Sequence, residues 1–304
     1  MSQQISNISD STKKYDFTVL IDIADGNPNG NPDEDNRPRI DEETEQGLIS
    51  DVCLKRKIRD YIDAAHADEP GRAIYVMNRG EFLEQVNTNI VKECEQDGGF
   101  LSRYETAKDA KNNLLPRVIS DYFCTRYFDV RAFGAVPGKP IDRSTIRGPI
   151  QISFGRSIDP VHVQEHAISR VVQNKPRKEG TEDVHGTFGA KFTVRYGLYK
   201  FTGHYSPFLG KRTGFSDDDL ALFWEALLRW PAIDLSAARS SMAVRGLYVF
   251  AHDDPFGSAP AHLLFSRVTV PTVREARSWD DYKDGINIET ADMPEGVTLT
   301  RVVG

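Results

Sequence analysis

The sequence has few cysteines and no long hydrophobic run. Cys53, Cys94 and Cys124 are scattered, and no two of them form a C-x-x-C pair. An odd and dispersed set argues against a disulfide framework and a cysteine-rich zinc site, so we expect a reducing, cytoplasmic location. No stretch approaches the roughly 18 apolar residues of a membrane-spanning helix, and the polar start is unlike a signal peptide. We therefore expect neither export nor membrane association.

The sequence also lacks the short motifs of several enzyme classes. Walker A, G-x-G-x-x-G and G-x-S-x-G patterns are all missing, so nucleotide-dependent and serine-hydrolase chemistry have no support. The 304 residues, 39% of them hydrophobic, instead have the composition of a globular protein with a sizeable core. We expect no cofactor.

Positive charge is scarce overall but concentrated in one segment. The chain has 38 Lys and Arg against 45 Asp and Glu, which gives a net charge of −7. Residues 1–50 have 11 acidic side chains and 4 basic ones, whereas residues 143–212 have 12 basic and only 5 acidic. A basic middle segment between acidic ends is compatible with an anionic ligand and equally with a solvated surface.

The pattern of apolar residues predicts an α+β fold. We predict a disordered leader over residues 1–14, and then the order strand, helix, strand, strand, helix, strand. The predicted strands cover residues 15–24, 122–136, 146–154, 193–205 and 244–251, with an extra one at 265–270; the helices cover 52–62 and a segment from Ser216 to before Pro231. Without insertions, this is the βαββαβ order of ferredoxin-like and RRM-like folds. Residues 66–117 read as a mostly helical insertion.

Two basic segments are candidates for contact with phosphates. In the first helix, Lys55 and Arg59 stand four residues apart and therefore project from one face, beside Arg56. Cations of this kind give affinity for a nucleic-acid backbone without reading sequence. The second segment, residues 155–192, joins basic side chains to small and aromatic ones. It predicts either a hairpin that wedges between bases or a plain surface loop.

Two further patterns suggest metal chemistry and have simpler explanations. His162, Glu165 and His166 match the H-x-x-E-H pattern of a zinc peptidase, but the flanking residues alternate as in a strand. Asp33 and Asp35 lie in a loop after the first strand, where carboxylates can hold Mg²⁺ for phosphodiester hydrolysis. Asp is also a common turn residue, and we favour that interpretation. We expect no bound metal.

Taken together, the motifs are similar to those of one protein family, the backbone subunits of type I-C CRISPR Cascade complexes in the RAMP superfamily. The resemblance extends from residue 15 to about residue 270. The matching motifs are residues 27–30 (NPNG), 39–41 (RID), 51–59 (DVCLKRKIR), 128–134 (FDVRAFG), 147–151 (RGPIQ), 157–160 (SIDP), 168–170 (ISR), 196–199 (YGLY), 236–239 (SAAR) and 259–262 (APAH).

The resemblance implies a single RAMP-type domain over residues 15–304, with an RRM-like palm, helical fingers at 66–117 and a β-hairpin thumb at 156–192. It implies a non-catalytic subunit that stacks head to tail along the crRNA spacer and presents it to a target DNA strand in antiviral defence. Its partners would be the Cascade large subunit, the small subunit and the subunit that binds the 5′ handle. A metal-dependent endoribonuclease using Asp33 and Asp35 is the alternative.

The resemblance also implies which residues contact RNA. Lys55 and Arg59 match the palm-helix cations of the family, and the thumb tip is expected at Phe188. The full set of expected RNA-binding residues is Arg37, Arg39, Lys55, Arg56, Arg59, Arg147, Gln151, Arg156, Arg170, Phe188 and Lys191.

Overall fold

A computed structural model of the protein describes residues 2–141, 145–170 and 187–304. Its strands are β1 (Lys14–Gly26), β2 (Gly30–Asn31), β3 (Arg37–Pro38), β4 (Gln46–Ile49), β5 (Gly134–Ala135), β6 (Ile146–Arg147), β7 (Ile150–Ile152), β8 (Gly155–Pro160), β9 (Val163–Arg170), β10 (Thr187–Tyr205), β11 (Ala243–His252), β12 (Val268–Thr269), β13 (Asn287–Ile288) and β14 (Val297–Val303). Its helices are α1 (Ser2–Ser6), α2 (Asp51–His66), α3 (Leu83–Gln96), α4 (Gly98–Leu101), α5 (Pro116–Arg126), α6 (Phe128–Phe133), α7 (Pro207–Thr213), α8 (Asp217–Arg229) and α9 (Ala261–Phe265). Among the described helices, none is both long and apolar enough to cross a membrane.

The main sheet is antiparallel, in the order β14, β11, β1, β10, β8, β4. Strand β1 lies at its centre and pairs with β10 from Tyr15 opposite Tyr205 to Gly26 opposite Val194. Strands β7 and β9 also pair with β10, each along a different part of its length. The predicted strands over 15–24, 193–205 and 244–251 are therefore confirmed.

Both faces of the sheet are covered. Helices α2 and α8 pack on one face, where Phe17 of β1 meets the ring of Trp224 edge-on at 5.1 Å between centroids. The other face, around Leu20 and Phe250, is covered by the segment after β11, which contributes Leu264 and Tyr282 to that cluster. This double burial explains why β1 is an almost continuous apolar run.

The capping residues of the two predicted helices lie at the positions that the sequence predicts. Ser50 caps α2 by accepting a hydrogen bond from the Cys53 N–H. Ser216 and Asp219 form a reciprocal capping box at the start of α8. The apolar stripe of each helix faces the sheet, which is what a period of 3.6 residues predicts.

The predicted strand over residues 122–136 is wrong, because this region forms α5 and α6. Val118, Ile119, Tyr122 and Phe123 are buried at helical spacing in a second hydrophobic cluster. The aromatic and β-branched composition favours a strand locally, but packing along one helix face overrides that propensity. This cluster extends from the insertion to Ile146, well past residue 117.

The expected leader and the extra strand also differ from the structure. Residues 3–14 pack on the core: Ile8 is fully buried, its carbonyl accepts a hydrogen bond from Trp224 Nε1 at 2.9 Å, and the Ser11 carbonyl accepts one from the Tyr205 hydroxyl at 2.9 Å. These contacts order a segment whose polar composition suggested disorder. The predicted strand at 265–270 is reduced to β12, because α9 occupies the residues before it.

Candidate nucleic-acid interface

The loop after β1 is fixed at the end of the sheet where the β9–β10 hairpin begins. The Asn27 N–H donates to the Ala238 carbonyl at 2.7 Å. Asn29 Oδ1 accepts from both the N–H and the hydroxyl of Ser50, at 2.9 and 3.0 Å. Strands β2 and β3 pair within the loop through Gly30 and Pro38. The turn-rich sequence of this loop therefore holds a defined shape against the start of α2.

Five cations converge there, and we call them the loop–hairpin cluster: Arg37, Arg39, Lys57, Lys191 and Arg239. Lys57 and Arg239 both contact the carboxylate of Asp234, the latter at 2.9 Å between Nε and Oδ1. Lys191 Nζ donates to the Ala237 carbonyl at 3.1 Å. The loop after α8 thus links α2 to the base of the hairpin.

Arg37 connects the loop to the hairpin directly. Its guanidinium lies 4.2 Å from the centre of the Phe192 ring, and it faces Glu165 of β9 at 3.6 Å. About half of the Arg37 side chain is exposed, at 52%. The Phe192 ring and the Glu165 carboxylate therefore hold the Arg37 guanidinium at the base of the hairpin, where about half of the side chain stays exposed.

Three buried polar atoms of this region have no hydrogen-bond partner among the described residues. They are Asn27 Oδ1, Arg39 Nε and Ser236 Oγ. Because a buried polar atom without a partner costs about 1–3 kcal/mol, such a concentration favours completion by water or by a polar ligand.

The four cations of α2 are each paired with a carboxylate, which differs from the open basic face that the sequence suggests. Lys55 meets Asp51 at 3.0 Å, and Arg56 meets Asp60 at 2.8 Å. Arg59 meets Asp129 at 2.8 Å, and Lys57 meets Asp234. The Lys55 and Arg59 side chains are only 12% and 11% exposed, because both lie over the Phe133 ring. Arg56 is the most exposed of the four.

The structure separates the remaining predicted residues. Arg147 and Gln151 are exposed on β6 and β7, and Gln151 Nε2 donates to the Gly148 carbonyl at 3.2 Å. Arg156 on β8 pairs with Asp41 at 2.7 Å. The backbones of Arg170 and Phe188 pair near the far end of the hairpin, opposite Thr187 and Ser169, while their side chains lie outside the described residues. Residues 171–186, the remaining part of the predicted thumb, also lie outside the described residues.

The residues of the H-x-x-E-H pattern lie just before and within strand β9, not on a helix. His162 precedes β9, Glu165 faces Arg37, and His166 contacts the Thr193 hydroxyl at 2.9 Å. In extended chain, two residues four apart are separated by about 13 Å, too far to bind one ion. Within the described ranges, no cluster of three metal-ligating side chains occurs.

Asp33 and Asp35 lie at the exposed tip of the loop after β1. The Asp33 N–H bonds to Asn31 Oδ1, and Asp35 has a positive φ of 50°. Both features are typical of turns.

Lys57, Arg239 and their shared partner Asp234 are the part of the cluster that sequence reasoning missed. The SAAR motif at residues 236–239 was a signal for Arg239, but the contact between Lys57 and Asp234 spans 177 positions.

Comparison with known proteins identifies the family. A model of the family described as "CRISPR-associated protein Cas7" matches residues 13–289. The chain belongs to the Cas7 family. A member from Haloferax volcanii, also described as "CRISPR-associated protein Cas7", is 28% identical over 237 residues, which cover 70% of this chain and 64% of that protein.

Solved structures are similar to this member of the Cas7 family as well. A chain of a "CRISPR RNA-guided surveillance complex, pre-nicking" matches with a TM-score of 0.50 and 14% identity over 81% of each chain, so the fold is shared. A chain of a "CRISPR RNA-guided surveillance complex" gives a TM-score of 0.43 at 14% identity and covers 81% of this chain and 73% of that one.

Proposed function

We propose that this Cas7-family protein is a non-catalytic guide-RNA-binding backbone subunit of a type I-C CRISPR interference complex. Several copies stack head to tail along the crRNA spacer and present it for pairing with a target DNA strand. The observation that carries the proposal is the loop–hairpin cluster, which places five cations beside only two carboxylates, Asp234 and Glu165, at the base of a hairpin and leaves Arg37 about half exposed.

The position of the cluster agrees with an RRM-like palm in which a further segment covers the face of the sheet opposite the helices. The order β11, β1, β10, β8 is the order of a split βαβ fold. The face away from α2 and α8 is covered around Leu20 and Phe250 by the segment after β11, so this part of the sheet is closed to RNA. The cations at the end of the sheet offer a contact for a phosphate backbone.

The hairpin is the proposed thumb, and the second hydrophobic cluster is the core of the proposed fingers. Lys191 and Arg37 hold the guide at the base of the thumb, and the residues near its far end separate neighbouring bases. The protein reads the RNA backbone, while base pairing reads the sequence.

The proposed partners are the crRNA, further copies of the chain, the complex's large and small subunits and the subunit that binds the 5′ handle. Head-to-tail stacking requires two different surfaces on each copy. The basic residues 143–212 and the acidic segments 1–50 and 213–304 supply surfaces of opposite charge. We propose that one acidic segment contacts the basic segment of the next copy.

The test is co-expression with a CRISPR array. We expect the protein to purify with RNA in a particle far larger than 34.2 kDa. Arg37→Ala with Lys191→Ala lowers the bound RNA and, for single-stranded RNA, reduces the slope of log affinity against log salt by roughly 1.4, because each lost phosphate contact accounts for about 0.7.

The matched control is Arg274→Ala with Arg277→Ala, which removes two exposed cations from the segment after β11. The control is expected to retain RNA and the wild-type slope. Equal RNA content in both double variants would refute the role of the loop–hairpin cluster.

The absence of catalysis is part of the proposal and has its own test. Assembled complex is incubated with complementary RNA and Mg²⁺, with Asp33→Ala and Asp35→Ala variants alongside. We expect the RNA to stay intact. Regularly spaced cuts that disappear in either variant would instead establish the endoribonuclease.

A further inference from the structure

A second basic surface lies away from the loop–hairpin cluster. It is a groove of about 930 Å³ between α4 and α5 on one side and α7 on the other. We call it the finger groove. Among the described residues, its charged lining consists of the cations Arg103, Arg117, Lys211 and Arg212 and the single carboxylate of Asp121.

The lining residues are arranged to leave positive charge at the surface. The four cations are all exposed, whereas Asp121 accepts a hydrogen bond from the Tyr104 hydroxyl at 2.9 Å and faces Arg117 at 3.7 Å. Arg103 has its guanidinium 5.4 Å from the centre of the Phe100 ring. The Arg117–Asp121 pair carries no net charge, so Arg103, Lys211 and Arg212 leave a net positive charge in the lining.

The finger groove is far from the proposed guide site. Helix α7 follows Tyr205 at the end of β10, while Lys191 lies fourteen positions earlier on the same strand. At 3.3 Å per residue, this separation is roughly 45 Å along the strand. A ligand in the groove therefore makes contacts that the loop–hairpin cluster does not make.

The chemistry of the finger groove selects a polyanion of uniform charge. A peptide ligand carries mixed charge and would be matched by a mixed lining, and this lining has four cations to one occupied carboxylate. Arginine guanidinium groups bind phosphate oxygens in a fork, and lysine adds a mobile point charge. We propose that the finger groove binds the backbone phosphates of a single-stranded nucleic acid outside the guide segment held at the thumb base.

The test uses Lys211→Ala with Arg212→Ala. Fluorescence anisotropy with a labelled 30-nucleotide single-stranded DNA is measured on the free chain and on guide-loaded complex at several salt concentrations. We expect about tenfold weaker binding and a salt slope smaller by roughly 1.4. Lys108→Ala with Lys111→Ala is the matched control, because it removes two cations of the insertion that do not line the groove. Wild-type binding is expected for this control.

The guide content of the purified complex identifies which strand occupies the groove. Unchanged guide content with weaker DNA binding assigns the groove to a DNA strand, and a loss of guide assigns it to an extension of the guide. Wild-type affinity, salt slope and guide content together would overturn the proposal. A wild-type complex without RNA would refute the proposed function instead, and the free-chain measurement would still test the groove.

Discussion

At the scale of single residues, the cations of α2 have a structural role that their sequence does not reveal. Arg59 pairs with Asp129, which is 1% exposed and also accepts hydrogen bonds from the backbone N–H groups of Tyr75 and Val76. This carboxylate therefore joins α2 to the start of the insertion. RNA binding by Lys55 and Arg59 stays a prediction, and any test of it has to measure folding as well.

Arg59→Ala is expected to lower the free energy of unfolding by about 3 kcal/mol, because it leaves a buried carboxylate without its cation. Urea unfolding monitored by circular dichroism measures this loss. Arg56→Ala is the control, because its pair with Asp60 is exposed and is worth less than about 1 kcal/mol. Equal stability of the two variants would contradict the structural role of Arg59.

A buried cluster around Asp16 makes stability depend on pH. Burial opposes ionisation, but hydrogen bonds from His204 and His252 and the charge of Lys14 outweigh it and lower the pKa of Asp16. A lowered pKa means that the ionised group stabilises the fold above the ordinary value of 3.8 and that this contribution is lost as the pH falls below it.

Asp16→Asn should therefore destabilise the protein strongly at pH 7, and the difference in stability between the two proteins should begin to shrink only as the pH falls below 3.8. Chemical unfolding of both proteins from pH 7 down through the acid range gives the difference. A difference that does not shrink in acid would show that Asp16 acts through packing alone.

At the scale of elements, one side chain joins the loop after β1 to the start of α2. Asn29 Oδ1 accepts two hydrogen bonds from Ser50, the residue that caps α2. The loop that carries Arg37 and Arg39 is therefore joined to the start of α2 through this acceptor.

Asn29→Ala is expected to cost about 1–2 kcal/mol of stability and to reduce the RNA that co-purifies, because two hydrogen bonds are lost. Asn29→Asp keeps the acceptor and should retain both properties. Asn78→Ala, which removes only a local bond to the Gly80 N–H, is the control. RNA retention by Asn29→Ala would show that the loop position is set by its backbone.

At the scale of the whole molecule, the net charge conceals two separate basic surfaces. The loop–hairpin cluster and the finger groove lie toward opposite ends of β10. The segment after β11 covers one face of the sheet around Leu20 and Phe250, and both basic surfaces lie away from that face. Opposite charges on different surfaces of one chain are compatible with both RNA binding and stacking.

The sequence by itself determined what depends on neighbouring residues. The apolar run of β1, the capped helices α2 and α8 and the family motifs are all local patterns, and each is confirmed. The tertiary structure decided what depends on distant residues. Helix α5 replaces the first part of a predicted strand because its face completes a separate core, and α6 replaces the rest because Phe128, Ala132 and Phe133 pack into the main core. Arg59 pairs with Asp129 across 70 positions, and Lys57 pairs with Asp234 across 177 positions. No local pattern in a sequence encodes contacts at such separations.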